Sequence, residues 1–256
     1  VSKEVELSYS EHGGGDSEGK RPPLILIHGA GGSRLHWPPN LRRLEGERVY
    51  GLDLPGHGGS PGEGERTIGG YVESVCSWMD GAGLDRGVFV GHSMGGAISL
   101  TVALEQSKRA VGLVLVGTGG RLRVHPTILE MTSHQETFDE AIDLIVSFAI
   151  SPQAPAIMVE LARKRMSETR SEVLHGDFLA CDQFDVMGRL SEIRVPTLVI
   201  CGRQDKLTPL KYSHFLAENI PDARMITVEG AGHMVMLEKP VEVVGAVKGF
   251  MDEVYG

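Results

Sequence analysis

Short apolar runs recur along the chain, each closed by glycine or a turn. They are PLILIHG (23–29), RVYGLDLPG (48–56), GVFVGHS (87–93), AVGLVLVGTGG (110–120), VPTLVICG (195–202) and ARMITVEGAG (223–232). Most are continuously apolar rather than alternating, the pattern of strands covered on both faces by helices. VELSYS (5–10) alternates instead and predicts an edge strand with one exposed face. Segments 67–80, 94–108 and 209–219 read as helices between the runs, and GGGDSEGKR (13–21) reads as a flexible turn. Strand–helix–strand repetition predicts right-handed crossovers, and so one α/β domain.

The rhythm breaks between residues 121 and 190, where no strand signal occurs. In TFDEAIDLIVSFAI, residues Phe138, Ala141, Ile142, Ile145, Phe148 and Ala149 share one helical face, and Thr137 and Glu140 stand at capping-box spacing. Ser151 followed by Pro152 reads as an N-cap and first helical residue. SEVLHGDFLACDQF is amphipathic again. A helical insertion of this size between two strands is either a lid over the strand ends or a plain packing layer; open sheets bind ligands outside their carboxyl ends, which favours the lid.

At 256 residues the chain accommodates one sizeable core. Its 41% hydrophobic and 23% charged residues are ordinary for a globular protein. A formal net charge of −9 argues against a nucleic-acid partner, and the one short basic run, Arg163 to Arg165, reads as a solvated helix face. Cys76, Cys181 and Cys201 are too scattered for a CxxC pair or a disulfide framework, so metal and redox readings gain no support. No apolar run approaches the roughly 20 residues of a membrane span, and the first ten residues do not resemble a signal peptide. The expectation is a cytoplasmic protein with no membrane partner, monomeric or homodimeric.

Gly91-His92-Ser93-Met94-Gly95 fits G-x-S-x-G between a buried strand and a helix. In that motif the serine sits on a strained turn, and the glycines remove side chains that would collide across it. Gly96 would let the following helix pack close to the sheet. A serine hydroxyl needs a base, and the base an orienting carboxylate, which in this architecture follow in the order Ser, Asp or Glu, His. Asp205, in the loop after strand 197–201, and His233, after strand 224–228, meet the order and emerge at the same sheet edge. Asp182 and Asp185 are weaker rivals inside the insertion. Among the other histidines, His12, His28, His36 and His57 precede Ser93, His92 adjoins it, His125, His134 and His175 lie in the insertion, and His214 in a helix. Two oxyanion donors are expected: Met94 N–H at a helix start, and Ala30 N–H in LIHGAGGS (26–33). His28 reads as a residue that locks this loop by hydrogen bonding.

With HGAGGS, DLPGHGGS (53–60), GHSMGG, VPTLVICGRQD and GAGHMVMLEKP in this order, the chain resembles the α/β-hydrolase family from about Leu24 to Phe250. The resemblance implies a mostly parallel eight-stranded sheet flanked by helices. The core would span 1–120 and 191–256, with a helical cap, 121–190, after the sixth strand. One clear strand before PLILIHG, rather than a hairpin, departs from that pattern. The resemblance also implies Ser93 as nucleophile, Asp205 as acid, His233 as base, and Ala30 and Met94 as oxyanion donors.

A serine at the nucleophile position separates the chain from relatives that attack with aspartate. Its length and insertion look like the carboxylesterase and enol-lactonase branch, which also holds carbon–carbon bond hydrolases, perhydrolases and acyl-carrier methyl esterases. The expected activity is cofactor-free hydrolysis of small to medium carboxylic esters through an acyl-enzyme. The alternatives are lactone or carbon–carbon hydrolysis on the same triad, or a non-catalytic ligand-binding protein. Trp37, Met94, Phe148, Leu207 and Val235 are candidate pocket residues, and no metal is expected.

Overall fold

The computed structural model describes residues 6–13 and 21–256. In chain order its strands are β1 (Tyr9–His12), β2 (Leu24–Ile27), β3 (Val49–Leu52), β4 (Gly87–His92), β5 (Ala110–Val116), β6 (Thr197–Gly202) and β7 (Ala223–Val228). Its helices are α1 (Pro39–Arg42), α2 (Ile68–Gly81), α3 (Met94–Glu105), α4 (Pro126–Thr132), α5 (Phe138–Ala149), α6 (Ala156–Ser167), α7 (Ser171–Gln183), α8 (Leu210–Asn219), α9 (Val235–Glu238) and α10 (Pro240–Tyr255). The strands form one sheet in the order β1-β3-β2-β4-β5-β6-β7, and β1 alone runs antiparallel to its neighbour.

The described residues thus hold a seven-stranded sheet rather than eight strands, and the helical insertion follows β5, the fifth strand. The alternating segment 5–10 was expected to be the edge strand; Val5 lies outside the described residues, and the ladder instead begins at Tyr9, paired with Leu52. Leu7 is already in the core, and Ser8 O accepts Asp53 N–H at 2.9 Å, so the pairing continues beyond the regular strand. The turn expected at 13–21 falls mostly on residues 14–20, outside the described residues.

Continuous apolar runs arise because both faces of the central strands are covered. Ile25, Ile27, Phe89, Leu113 and Leu115 join a core shared with α2 and α3, where Tyr71, Val75 and Ile98 are buried. Their chain neighbours Leu24, Leu26, Val88, Val90, Val114 and Val116 face the opposite core, with Trp37, Leu41, Val247 and Phe250. Successive strand side chains point to opposite faces, so one run serves two cores. Each fully buried side chain of this kind contributes roughly 1.5–3 kcal/mol.

Helices α4 to α7 all lie between β5 and β6. The two ends of the segment meet: Arg121 pairs with Asp185 in an isolated antiparallel bridge, and Val186 N–H reaches Gly120 O at 2.7 Å. In α5, Phe138, Ala141, Ile142, Ile145 and Ala149 are buried as the periodicity predicts, but Phe148 is 38% exposed. Thr137 makes no side-chain cap; its hydroxyl donates to Met131 O at 2.7 Å. Ser151 does not open α6, which begins at Ala156 behind Pro155; Ser151 is buried and donates its hydroxyl to Gln204 Oε1. Among the described residues no helix is long and apolar enough to cross a membrane.

Candidate active site

Ser93 joins β4 to α3 with φ 51° and ψ −115°, and is the one non-glycine with positive φ among the described residues. Such a conformation costs on the order of 1–3 kcal/mol and persists where the surroundings enforce it. They do so here. Ser93 N–H donates to Val116 O at 2.9 Å, and Ser93 O accepts Gly96 N–H at 2.9 Å and the Thr118 hydroxyl at 2.8 Å. A Cβ on Gly91 would strike the Gly95 carbonyl, and one on Gly95 would strike the Ile27 carbonyl. The glycines are clearance, as the motif predicts. A Cβ on Gly96 would meet Thr118, so its space is taken by the loop after β5 rather than by the sheet.

Asp205 and His233 are held together where their loops cross. Gly202, at the end of β6, lies so close to the Gly232 carbonyl that a Cβ would collide with it. His233 Nδ1–H donates to Asp205 Oδ2 at 2.9 Å. The same oxygen accepts the Thr208 hydroxyl at 2.8 Å, while Asp205 Oδ1 takes the backbone amides of Leu207 and Thr208 at 2.9 and 2.8 Å. Burial pushes the Asp205 carboxyl up, but the charge and hydrogen bond of His233 and those from Thr208 outweigh it, and the net shift is downward. Asp205 is therefore a fixed carboxylate. It sets the His233 tautomer with the proton on Nδ1, which leaves Nε2 basic.

The backbone of His233 is anchored on three sides. Its N–H donates to Ala149 O, the end of α5, at 2.8 Å. Its carbonyl accepts His92 Nε2–H at 3.1 Å, and the two imidazoles lie 4.6 Å apart. The preceding amide, Gly232 N–H, donates to Glu238 Oε1 at 3.0 Å. His92, next to Ser93 in the chain, thus ties the elbow to the histidine loop. Burial and the neighbouring His233 hold its imidazole well below the usual range, so it stays neutral. Ser93 Oγ makes no hydrogen bond among the described residues.

Ser93 opens onto a mostly apolar cavity of about 260 Å³ that Ala30 also lines. Phe148, Phe178 and Ile128 of the insertion line it, as does Leu207. Of the candidate pocket residues, Phe148 and Leu207 line this cavity. Trp37 and Val235 do not: both are fully buried in the core, Trp37 edge-on to His92 at 6.4 Å, Val235 beneath α10. Their side chains belong to the packed core and are not among the residues that line the cavity. The Met94 side chain is likewise core, leaving its amide, at the start of α3, as its link to the site. His28 locks its loop as expected: Nε2 accepts Leu54 N–H at 3.0 Å and Nδ1–H donates to Gly29 O at 2.8 Å. Burial keeps it neutral.

The rival carboxylates serve elsewhere. Asp182 accepts Val124 N–H at 3.1 Å, and Asp185 faces Arg121 and Arg123 at 3.7 and 3.8 Å. Sequence reasoning missed His92, Thr208, Gln204 and Glu238. Only the placement of Thr208, three residues after Asp205, carried a signal, that of an Asx-type turn.

Comparison with known proteins agrees with this architecture. The family model described as "Alpha/beta hydrolase family" matches residues 24–246. A Rhizobium rhizogenes protein named for carbamate hydrolysis, RutD, is 30% identical over 248 residues, covering 89% of this chain and 92% of its own. The 2-hydroxy-6-oxo-6-phenylhexa-2,4-dienoate hydrolase of Comamonas testosteroni is 29% identical, covering 92% and 87%. A solved structure titled as a thermophilic esterase superposes with a TM-score of 0.81 at 35% identity, covering 97% and 99%. The match to the family model over most of the sequence, with the fold that goes with it, places this chain in the alpha/beta hydrolase family.

Proposed function

We propose that the protein is a serine hydrolase of small to medium carboxylic esters, with Ser93, Asp205 and His233 as its catalytic triad. The observation that carries the reading is Ser93, held at positive φ and opening onto an apolar cavity, with its chain neighbour His92 bonded to the carbonyl of a histidine whose Nδ1 is bound to a buried carboxylate. Ser93 Oγ attacks the acyl carbon while His233 Nε2 takes its proton. The oxyanion is received by the amides of Ala30 and Met94; a donor of this kind is typically worth roughly 3–4 kcal/mol in the transition state. His233 then protonates the leaving alcohol, and water enters by the same route to release the acid. Neither step needs a cofactor. The insertion 121–190 acts as a cap, a reading supported by its side chains lining the cavity onto which Ser93 opens. We place the protein in the cytoplasm, as a monomer or homodimer.

Relatives named as a 2-hydroxy-6-oxo-6-phenylhexa-2,4-dienoate hydrolase and a carbamate hydrolase support a second reading on the same triad, cleavage of a lactone, carbamate or carbon–carbon bond. Turnover of p-nitrophenyl acetate and butyrate, with lactones of graded chain length alongside, tests the choice. Ser93→Ala is expected to lower kcat by about 10⁶. Equal rates in both proteins would overturn the triad. Tight ligand binding without turnover would favour a binding protein.

A further inference from the structure

Asp177 lies in α7, in the middle of the insertion, and is fully buried. A buried carboxylate is costly unless paired and hydrogen-bonded. All of its partners lie in the core of the fold. Asp177 Oδ2 accepts Gly31 N–H at 2.8 Å and faces His57 Nε2 at 2.9 Å; Oδ1 accepts the Tyr71 hydroxyl. The second nitrogen of His57, Nδ1, faces Pro55 O at 3.0 Å. Both ring nitrogens therefore face acceptors, so both carry protons, and the pair is an imidazolium against a carboxylate, sealed from solvent.

Gly31 is the important partner. Gly32 N–H bonds to Gly29 O at 3.1 Å, which closes a four-residue turn, and Gly31 takes its third position with φ +63°. That positive φ is what a type II turn demands there. Types I and II differ in which way the central peptide, here Ala30–Gly31, points. Asp177 fixes that choice by binding Gly31 N–H. The Gly31 carbonyl is held from the same side: Thr169, at the entry to α7, donates its hydroxyl to it at 3.1 Å. The insertion thus grips both polar groups of Gly31, the residue next to Ala30.

We propose that Asp177 is a positioning residue for the oxyanion loop, so that the insertion completes the reactive site as well as covering it. The inference rests on the reading of Ala30 N–H as an oxyanion donor. Without Asp177 the Ala30–Gly31 peptide loses its anchor, and the loop that carries Ala30 N–H is no longer held in one position toward the developing charge. Displacement of α7 would dismantle the oxyanion site in the same movement.

The test uses Asp177→Asn, which keeps an acceptor but adds an N–H₂ group that clashes with the donors around it. Two rates are measured per active site: p-nitrophenyl butyrate turnover, and phosphonylation of Ser93 by a p-nitrophenyl phosphonate, followed by mass spectrometry. Both reactions develop charge on an oxygen at the Ala30 position; the second needs no knowledge of the natural substrate. The expected result is a fall of about tenfold or more in kcat and in phosphonylation rate, with KM within about twofold of wild type. Val247→Ala, a core truncation in α10, supplies a loss of stability and is expected to leave both rates unchanged. Asp177→Asn rates per labelled site within about twofold of wild type would overturn the proposal. Should Asp177→Asn fail to fold, Tyr71→Phe removes one donor from the same carboxylate; a smaller fall with unchanged KM supports the proposal, and unchanged rates overturn it. A wild type that is phosphonylated but hydrolyses no ester or lactone defeats the proposed function, while the comparison of phosphonylation rates still decides the role of Asp177. A wild type inert to the phosphonate overturns both.

Discussion

Glu238 accepts the backbone amide of Gly232, the residue before His233, at 3.0 Å. Its other oxygen accepts Ser151 N–H, just beyond the end of α5, also at 3.0 Å. One half-buried carboxylate therefore fastens the histidine loop to the insertion. Glu238→Ala leaves two amides unpaired at that joint, each worth about 1–3 kcal/mol when buried. The expected outcome is a loss of about 2 kcal/mol in urea denaturation and a lower kcat at nearly constant KM. Unchanged stability and kcat would show the joint to be idle.

The Asp205 carboxylate accepts four hydrogen bonds, and the one from His233 orients the base. Asp205→Asn preserves the shape but favours the wrong imidazole tautomer. kcat is expected to fall by about 10⁴, with a folded protein by circular dichroism. A loss smaller than about tenfold would point to another carboxylate.

The His57–Asp177 pair gives stability a pH dependence. Burial pushes the His57 imidazole down, but the charge and hydrogen bond of Asp177 outweigh it, and the net shift is upward from 6.5. A histidine raised in the folded state contributes stability that is fully present below the unfolded value of about 6.5 and lost as pH rises through the folded one. The stability difference between wild type and His57→Gln should therefore shrink as pH rises above about 6.5. Denaturation midpoints measured between pH 6 and pH 9 check this, and a difference that grows with pH would contradict it.

Phe148 and Trp37 separate pocket from core. Phe148→Ala should alter KM and the preferred acyl chain length with little change in melting temperature, since the ring is partly exposed at the cavity. Trp37→Ala should cost about 3–5 kcal/mol, since the ring is fully buried. A rate panel and denaturation curves on the two variants test the division.

The motifs made the strained turn at Ser93, the Asp205–His233 pair and the parallel sheet legible because each depends on local backbone demands that a short stretch of residues must satisfy. Ser93 needs glycines on either side, and strands buried on both faces need unbroken apolar runs. The register of β1 was not legible: its pairing with β3 is set by Asp53 and Ser60, both of which bond to Ser8, rather than by its own alternation. Thr137 and Ser151 matched local capping patterns, but tertiary partners, Met131 O and Gln204, took their hydroxyls. Asp177, His92 and Glu238 were invisible for a related reason. Each acts on a residue at least six positions away, and most on residues more than a hundred away, where spacing carries no signal. Trp37 and Val235 show the converse, that nearness in sequence to a motif does not place a side chain in the cavity.

The central claim is that chemistry begins on Ser93. Rapid quenching of the wild-type protein with p-nitrophenyl butyrate, followed by peptide mass spectrometry, tests it most directly. The account predicts one butyryl group on the peptide containing Ser93, formed at least as fast as steady-state turnover and absent in Ser93→Ala. An acyl group on another residue, or continued turnover in Ser93→Ala without any, would contradict it.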